Sequence, residues 1–245
     1  MAGDRTWTID SILRVTKEFF EGKGIDSARL DAEILLTSVI DLTRVQLYTQ
    51  YDRPLSEEEL TRYRELVRRR GGLEPVAYIL GEKEFYGRRF EVGPEVLVPR
   101  PETEHLIDAV LEWGKSQPIR RVLDVGTGSG CIAVTLACEI AGVEVVASDV
   151  SPEAIQTAKK NAGLHGVSCV WHEADVYPPG TEKFSVIASN PPYIAKGDVR
   201  VEAGVHHHEP SLALYSGADG LDVIRRLVEG AAERLERPGL LAFEL

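Results

Sequence analysis

From residue 120 onward, short apolar runs alternate with segments of helical periodicity. The apolar runs occupy residues 122–125, 143–147, 168–171, 184–188 and 240–245. Helical patterns follow the first two runs, and another spans residues 221–235. Strands that alternate with helices of this length form a parallel sheet covered on both faces. The pattern therefore predicts an α/β fold with a doubly wound sheet.

The first 75 residues predict a small helical bundle. One helix opens at Thr8 and stops at Gly22, and a second runs from about Ser27 to Val39. A third follows a cap at Ser56, with glutamates in its first turn and arginines in its last, which suits the helix dipole. The bundle carries no catalytic cluster of its own. We expect it to recognise a partner or to brace the catalytic domain.

Residues 76–99 contain short β-type runs divided by Gly87 and Gly93, which predict a β-hairpin linking the two domains. Residues 100–245 then form the domain that contains the doubly wound sheet, and Thr103 or a neighbour is expected to cap its first helix. The last run would leave an apolar strand at an unprotected sheet edge, which natural proteins avoid. We therefore expect that the chain is shortened or that a terminal strand pair is missing.

Composition excludes several classes of protein. The chain has 245 residues, 43% of them hydrophobic, and lacks both a membrane-length apolar run and a signal peptide, so we expect a cytoplasmic protein without membrane contact. Its net charge of −11 argues against direct binding of long nucleic acids. Three dispersed cysteines and the surface-loop triplet at residues 206–208 do not have metal-ligand spacing, so no metal is expected.

Two consecutive prolines follow the apolar run at 184–188, within Asn190-Pro191-Pro192-Tyr193. Prolines cannot continue a central strand, so the chain leaves the sheet there, at the strand end where open α/β sheets place their chemistry. The Asn190 oxygen and the Pro191 carbonyl can each accept one N–H of a planar NH2 group, and Tyr193 can cover its plane. A simple turn is the alternative, but the cofactor loop upstream favours a site.

The predicted cofactor loop joins the first strand to its helix. It consists of Gly126, Thr127, Gly128, Ser129 and Gly130. Its backbone N–H groups are expected to face a ligand, but the spacing is not that of the dinucleotide fingerprint. Asp149 ends the next strand, where its carboxylate can accept both ribose hydroxyls, cap a helix, or do both. Ribose recognition without that fingerprint favours S-adenosylmethionine over NAD, with Asp175 and Val176 placed to flank the adenine.

Together these features resemble class I S-adenosylmethionine-dependent methyltransferases that modify planar NH2 groups. More narrowly, the chain is similar to the protein-(glutamine-N5) methyltransferases of peptide chain release factors, the PrmC/HemK family. The segments that carry the likeness are residues 74–81, 85–87, 96–104, 124–130, 189–193 and 209–214. The Pro-Arg-Pro-Glu-Thr-Glu stretch within 96–104 discriminates best, because Asn-Pro-Pro-Tyr is shared with DNA adenine methyltransferases.

The resemblance implies a Rossmann-like sheet, S-adenosylmethionine as cofactor, S-adenosylhomocysteine as product, and methylation of the glutamine in the Gly-Gly-Gln motif of release factors. It assigns cofactor binding to residues 126–130, Asp149, Val176 and Asn190, and the substrate amide site to Asn190, Pro191, Pro192 and Tyr193. Asn190, Pro191 and Tyr193 are the expected catalytic residues. Val176 departs from the family, which often has an aromatic residue there.

Two other functions stay open at this point. The first is an adenine-N6 methyltransferase of nucleic acids, which the acidic charge and the lack of an evident target-recognition domain disfavour. The second is a non-catalytic cofactor-binding scaffold that acts through its helical domain. The intact Asn-Pro-Pro-Tyr tetrad disfavours that one.

Overall fold

The computed structural model describes residues 6–198 and 203–245. Its helices are α1 Ile9–Glu21, α2 Ala28–Ile40, α3 Arg44–Thr49, α4 Glu57–Gly71, α5 Val76–Leu80, α6 Glu104–Gly114, α7 Cys131–Glu139, α8 Pro152–Leu164, α9 Ala203–His208, α10 Ser211–Leu214 and α11 Asp222–Arg234. Its strands are β1 Glu82–Phe85, β2 Arg88–Glu91, β3 Arg121–Val125, β4 Glu144–Asp149, β5 Val170–Glu173, β6 Phe184–Ser189 and β7 Leu235–Phe243. The described chain divides into two compact units, one containing the residues up to Leu80 with α9, the other residues 81–198 and 209–245.

Three helices of the helical unit, α1, α3 and α4, begin with reciprocal side-chain caps, whereas Ser27 makes no capping bond at the start of α2. Thr8 Oγ1 accepts from the backbone N–H of Ser11 at 3.3 Å, and Ser11 Oγ accepts from the N–H of Thr8 at 2.9 Å. Ser56 and Glu59 form the same reciprocal pair at the start of α4. The three predicted helices are confirmed. The sequence analysis missed α3 and α5, because helices of only six and five residues show little periodicity.

A buried carboxylate ties α2 to α3 in this unit. Glu33, whose side chain is 1% exposed, accepts hydrogen bonds from Arg29 (2.5 Å), Arg44 (2.8 Å) and the hydroxyl of Tyr48 (2.6 Å). Burial raises the pKa of Glu33, but the hydrogen bonds from Tyr48, Arg44 and Arg29 outweigh it, so the pKa lies below its ordinary value. The charged form of Glu33 therefore stabilises this packing.

The second unit contains a five-stranded parallel sheet with the strand order β5-β4-β3-β6-β7. The chain proceeds from β3 outward to β5 on one side and then returns to place β6 and β7 on the other. The reversal lies between β3 and β6, and such switch points open a crevice at the carboxyl ends of the strands. The predicted fold class is confirmed.

Both faces of this sheet are buried, as the continuous apolar runs predicted. Val122 and Val186 belong to a core cluster shared with α6 and α7. Leu123 and Ile187, the next residues along each strand, belong to a second cluster shared with α11. Side chains alternate between faces along a strand, so one run supplies both cores.

The β-hairpin is shorter than the predicted 76–99. It consists only of β1 and β2, joined through Tyr86 (φ +50°) and Gly87 (φ +67°), a pair of left-handed residues that suits a tight hairpin turn. Residues 76–80 are the helix α5, and the β-type run at 96–98 is not a strand. There the backbone N–H of Val98 donates to the Glu209 carboxylate at 3.3 Å instead of to a neighbouring strand.

The histidine triplet at residues 206–208 was predicted to lie in a surface loop, and that prediction is wrong. The three residues form the last part of α9, and His208 Nε2 lies 3.0 Å from the carbonyl oxygen of Gly72 within the helical unit. Across residues 6–198 and 203–245, no group of three or more His, Cys, Asp or Glu side chains could hold a metal ion. In the same part of the chain, no helix has the length and apolar character needed to cross a bilayer.

Candidate active site

A cavity of about 640 Å³ opens where the carboxyl ends of the parallel strands meet. Val125 at the end of β3 pairs with Ser148 of β4 and Ser189 of β6, so the residues that follow these strands are neighbours. The predicted site residues that line the cavity are Gly126, Thr127, Gly128, Ser129, Asp149, Asp175, Val176, Asn190, Pro191 and Pro192. Gly130 and Tyr193 lie outside this lining.

The three glycines of the loop after β3 have two different structural roles. Gly126 (φ +69°) and Gly128 (φ +55°) adopt left-handed conformations, and a Cβ at either position would meet no atom within 4 Å. At Gly130 (φ +79°) a Cβ would lie 3.0 Å from the Cβ of Ala158 in α8. The first two glycines therefore leave space beside the backbone for a ligand, while the third allows the start of α7 to approach α8 closely.

The N–H groups of the first three loop residues, Gly126, Thr127 and Gly128, bond within the protein instead of facing a ligand as the sequence analysis expected. The N–H groups of Gly126 and Thr127 both donate to the carbonyl of Ser148, at 2.8 and 3.0 Å. The N–H of Gly128 donates to Asp149 Oδ2 at 2.8 Å. These bonds hold the loop against the end of β4. This part of the loop therefore offers a ligand an open surface rather than free hydrogen-bond donors.

Asp149 lies at the cavity wall and is bonded within the protein through both carboxylate oxygens. Besides the bond from Gly128, its Oδ1 accepts from the N–H of Ser151 at 2.9 Å. The helix cap proposed for Asp149 belongs instead to Ser151, whose hydroxyl accepts from the N–H of Ala154 at 3.1 Å. Burial raises the pKa of Asp149 above its ordinary value, against the backbone hydrogen bonds. Each oxygen keeps acceptor capacity for a ligand hydroxyl.

Asp124 is a buried acid beneath the loop to which the sequence analysis gave no role. Its Oδ2 accepts from Thr127 Oγ1 at 2.6 Å and from the N–H of Ala133 at 3.1 Å. Its Oδ1 is buried without a hydrogen-bond partner among the described residues. Burial raises the pKa of Asp124 to about 7. The signal that could have identified it is a charged residue inside the apolar run of β3.

Asp175 and Val176 follow β5 and differ sharply in exposure. Asp175 is exposed and pairs with Arg226 of α11 at 2.6 Å. Val176 is buried in a left-handed conformation (φ +70°), and its carbonyl accepts from Ser148 Oγ at 2.8 Å. Val176 can therefore contribute an apolar contact surface, and Asp175 a polar one that already engages an arginine.

Asn190 follows β6 and is anchored by a residue far away in the sequence. Its Nδ2 donates to Thr103 Oγ1 at 3.1 Å, and Thr103 Oγ1 donates to Glu244 Oε2 at 2.6 Å. Thr103 occupies the N-cap position of α6, as predicted, but its side chain makes no capping bond. Pro191 is buried, whereas Tyr193 is 41% exposed. Burial, with a contribution from Glu244, raises the pKa of the Tyr193 hydroxyl.

A buried ion pair fixes the segment that leads into α6. Glu209, whose side chain is 1% exposed, accepts from Arg100 at 2.7 Å through Oε1 and from the N–H of Val98 through Oε2. Val96, Leu97 and Pro99 on one side of this pair, and Pro210 on the other, line the cavity. The pair therefore joins two separate walls of the site.

A doubly wound parallel sheet with a glycine-rich turn after its central strand, an acid at the end of the next strand and Asn-Pro-Pro-Tyr after β6 defines a Rossmann-like methyltransferase. Two family models match the chain, the PrmC N-terminal domain over residues 11–81 and the methyltransferase small domain over residues 103–207. Among solved structures, a 16S rRNA N2 G1207 methyltransferase of T. thermophilus in complex with AdoMet and guanosine matches with a TM-score of 0.50 and 23% identity, covering 66% of this chain and 40% of that one. That likeness supports the fold alone.

Curated relatives extend the match to nearly the whole chain. A release factor glutamine methyltransferase of Geobacter sulfurreducens is 43% identical over 241 residues, which cover 98% of this chain and 84% of the relative. One from Neisseria gonorrhoeae is 45% identical over 221 residues, covering 88% of this chain and 80% of the relative. The chain belongs to the release factor glutamine methyltransferase family, and the resemblance read from its motifs is confirmed.

Proposed function

We propose that this enzyme transfers a methyl group from S-adenosylmethionine to the side-chain amide nitrogen of the glutamine in the Gly-Gly-Gln motif of peptide chain release factors. The observation that carries the proposal is identity of 43% to a release factor glutamine methyltransferase along nearly the full chain. The tetrad after β6, which lines the cavity through Asn190, Pro191 and Pro192, supports an NH2 group as the acceptor. The helical domain, residues 1–75, would recognise the release factor, and the domain of residues 100–245 would carry the chemistry.

The cavity suits S-adenosylmethionine in its size and chemistry. Gly126 and Gly128 leave room beside the backbone, and Asp149 keeps acceptor capacity for ribose hydroxyls. Val176 would pack against the adenine and Asp175 would hydrogen-bond it. When bound, this cofactor supplies a methyl group that is already activated on a sulfonium, and S-adenosylhomocysteine is the product.

The protein's task is then to align a weak nucleophile. An amide nitrogen reacts poorly because its lone pair is delocalised into the carbonyl group. Asn190 Oδ1 and the Pro191 carbonyl would each accept one N–H, which aims the nitrogen and favours the positive charge that develops on it. Pro192 and Tyr193 would complete the walls around the amide. The proton leaves after transfer, so no histidine base is required.

Transfer of labelled methyl from S-adenosylmethionine to a purified release factor tests this proposal. A release factor with its Gly-Gly-Gln glutamine changed to alanine and an adenine-containing DNA are run beside it. Label in the intact factor alone is expected. Label in DNA would identify an adenine methyltransferase, and cofactor binding without label in any substrate would identify a scaffold. A protein substrate also agrees with the net charge of −11 and with action in the cytoplasm, where release factors work.

Replacing Asn190 with alanine tests the assignment of the acceptor. We expect kcat/KM to fall by about 10²–10³, the usual effect of removing one group that stabilises developing charge. The dissociation constant for the cofactor, measured by calorimetry on the same variant, should change by less than about threefold, because the loss falls on the transition state. Equal losses in catalysis and cofactor binding would contradict this role.

A further inference from the structure

Asn190 is held by a directed chain of two hydrogen bonds that links three distant segments. Nδ2 of Asn190 donates to Thr103 Oγ1 (3.1 Å), which in turn donates to Glu244 Oε2 (2.6 Å). Thr103 is 1% exposed. Glu244 is brought to this position by strand pairing, since β7 runs parallel to β6 and the Glu244 N–H donates to the carbonyl of Ser189 at 3.1 Å.

The donor and acceptor inventory of these groups allows only one direction. A carboxylate has no proton to donate, so the single hydroxyl proton of Thr103 goes to Glu244. The Thr103 oxygen can then only accept from Asn190, and the side-chain atom that faces it must be the NH2 group. With the amide turned over, two oxygens would face each other and a buried hydrogen bond would be lost. The amide is therefore held in one orientation, with Oδ1 left to meet an incoming N–H.

We propose that Thr103 and Glu244 are positioning residues that set the orientation of the Asn190 amide, so that the cavity presents an acceptor to a substrate NH2 group. This inference rests on the proposed function for its consequence in catalysis, but not for the orientation itself. In the reverse orientation, the NH2 of Asn190 would meet the NH2 of the substrate, and two donors cannot pair. In this scheme Thr103, which lies in the cavity wall, and Glu244 act only through Asn190.

The orientation can be measured without substrate or cofactor. The chain has only two asparagines, Asn161 and Asn190, so selective 15N labelling of asparagine side chains should yield two NH2 signals. Asn161 is fully buried and donates from Nδ2 to the carbonyls of Glu91 (2.9 Å) and Ser129 (2.8 Å), which makes it an internal control for folding. Asn190→Ala identifies the remaining pair.

Three variants separate orientation from simple packing. Thr103→Val keeps the shape but removes the hydroxyl, and Thr103→Ser keeps the hydroxyl. We expect Thr103→Val to shift the Asn190 NH2 signals and speed their exchange with water while leaving those of Asn161 unchanged. Thr103→Ser should restore the unaltered spectrum. Glu244→Gln, which can accept or donate, permits both directions and should give an intermediate effect.

Methyl transfer to a release factor then tests the consequence for catalysis. Thr103→Val should lower kcat by about 10–100-fold with little change in cofactor affinity, Thr103→Ser should recover most of the loss, and Glu244→Gln should lose less than Thr103→Val. In an Asn190→Ala background, Thr103→Val should cause no further loss, because it acts only through Asn190. A further loss of kcat in that background would overturn the inference. So would a Thr103→Ser variant whose kcat is as low as that of Thr103→Val, or Asn190 NH2 signals that do not change in Thr103→Val. If the unaltered enzyme does not methylate a release factor but the signals behave as expected, the proposed function fails while the assigned orientation stands.

Discussion

Replacing Asp124 with asparagine should change how the stability of the enzyme depends on pH. The unaltered carboxyl is fully buried beneath the glycine-rich loop, and burial raises its pKa to about 7, against an ordinary value of 3.8. A native state with a raised carboxyl pKa binds more protons than the unfolded chain between those two values. The contribution of this carboxyl to the free energy of unfolding should therefore be highest below about pH 4 and should be lost as the pH rises through about 7.

The magnitude follows from the two pKa values. A difference of one pH unit between folded and unfolded pKa corresponds to about 1.4 kcal/mol, so the carboxyl at Asp124 lowers stability by up to about 4 kcal/mol across this range. Asparagine can still accept from Thr127 and Ala133, but its NH2 takes the position of the unpartnered Oδ1, at a cost of about 1–3 kcal/mol at every pH. About 1 kcal/mol of the carboxyl's contribution is already lost at pH 4.5, so Asp124→Asn should be less stable than the unaltered chain by about 0–2 kcal/mol there and more stable by about 1–3 kcal/mol at pH 8.

Urea unfolding followed by the fluorescence of Trp113 and Trp171, which belong to the same unit as Asp124, measures this difference between pH 4.5 and 8. Asp108→Asn is the matched control, because Asp108 is exposed on α6 and asparagine can still accept from its partner, the Tyr86 hydroxyl. The control should follow the unaltered chain within about 0.5 kcal/mol at each pH. Parallel stability curves for Asp124→Asn and the unaltered chain would refute the argument, since a pure packing effect has no pH dependence.

Two further changes test packing in each unit. In urea unfolding, Gly130→Ala should lower the free energy of unfolding by about 1–3 kcal/mol more than Gly142→Ala does. Both positions have a left-handed backbone. Only Gly130 has a close neighbour, Ala158, because a Cβ at Gly142 would face open space. Equal losses of stability in the two variants would mean that the contact with Ala158 contributes nothing beyond backbone strain. Glu33→Gln should lower the thermal midpoint of the helical unit at pH 7, followed by circular dichroism, and the deficit should shrink as the pH falls through the lowered pKa of Glu33, because the stabilising charge is then lost in the unaltered chain as well. A deficit that stays constant down to pH 3 contradicts the role of that charge.

The order of elements could be predicted from local sequence because each apolar run and each cap acts over only a few residues. Strands β3, β4 and β6, with the helices between them, were found from runs that bury both faces of a parallel sheet. The short helices α3 and α5 were missed, and residues 96–98 were wrongly taken as a strand. In that last case the apolar pattern was suitable, but the hydrogen bond of Val98 goes to the Glu209 side chain, which lies 111 residues away in the sequence.

In the candidate site, too, some features could be predicted from local sequence and others depend on tertiary contacts. Motif spacing alone placed Asn190, Asp149 and the glycines after the correct strands, since residues after parallel strands converge at one end of the sheet. Tertiary contacts decided which hydrogen-bond partner each of these residues has. The N–H groups of Gly126, Thr127 and Gly128 bond to Ser148 and Asp149 instead of facing outward, and no local pattern predicts those partners.

The sequence by itself determined the doubly wound fold, the family and most of the predicted residues that line the cavity, because periodicity, turn chemistry and motif spacing are local properties. Only the tertiary structure decided how those residues are oriented. Thr103, Asn190 and Glu244 are separated by 87 and 54 positions, and they meet because β7 pairs in parallel with β6 while α6, which follows Thr103, packs against β7. The direction of their hydrogen bonds follows from the contact between the three groups. That contact cannot be predicted from the sequence.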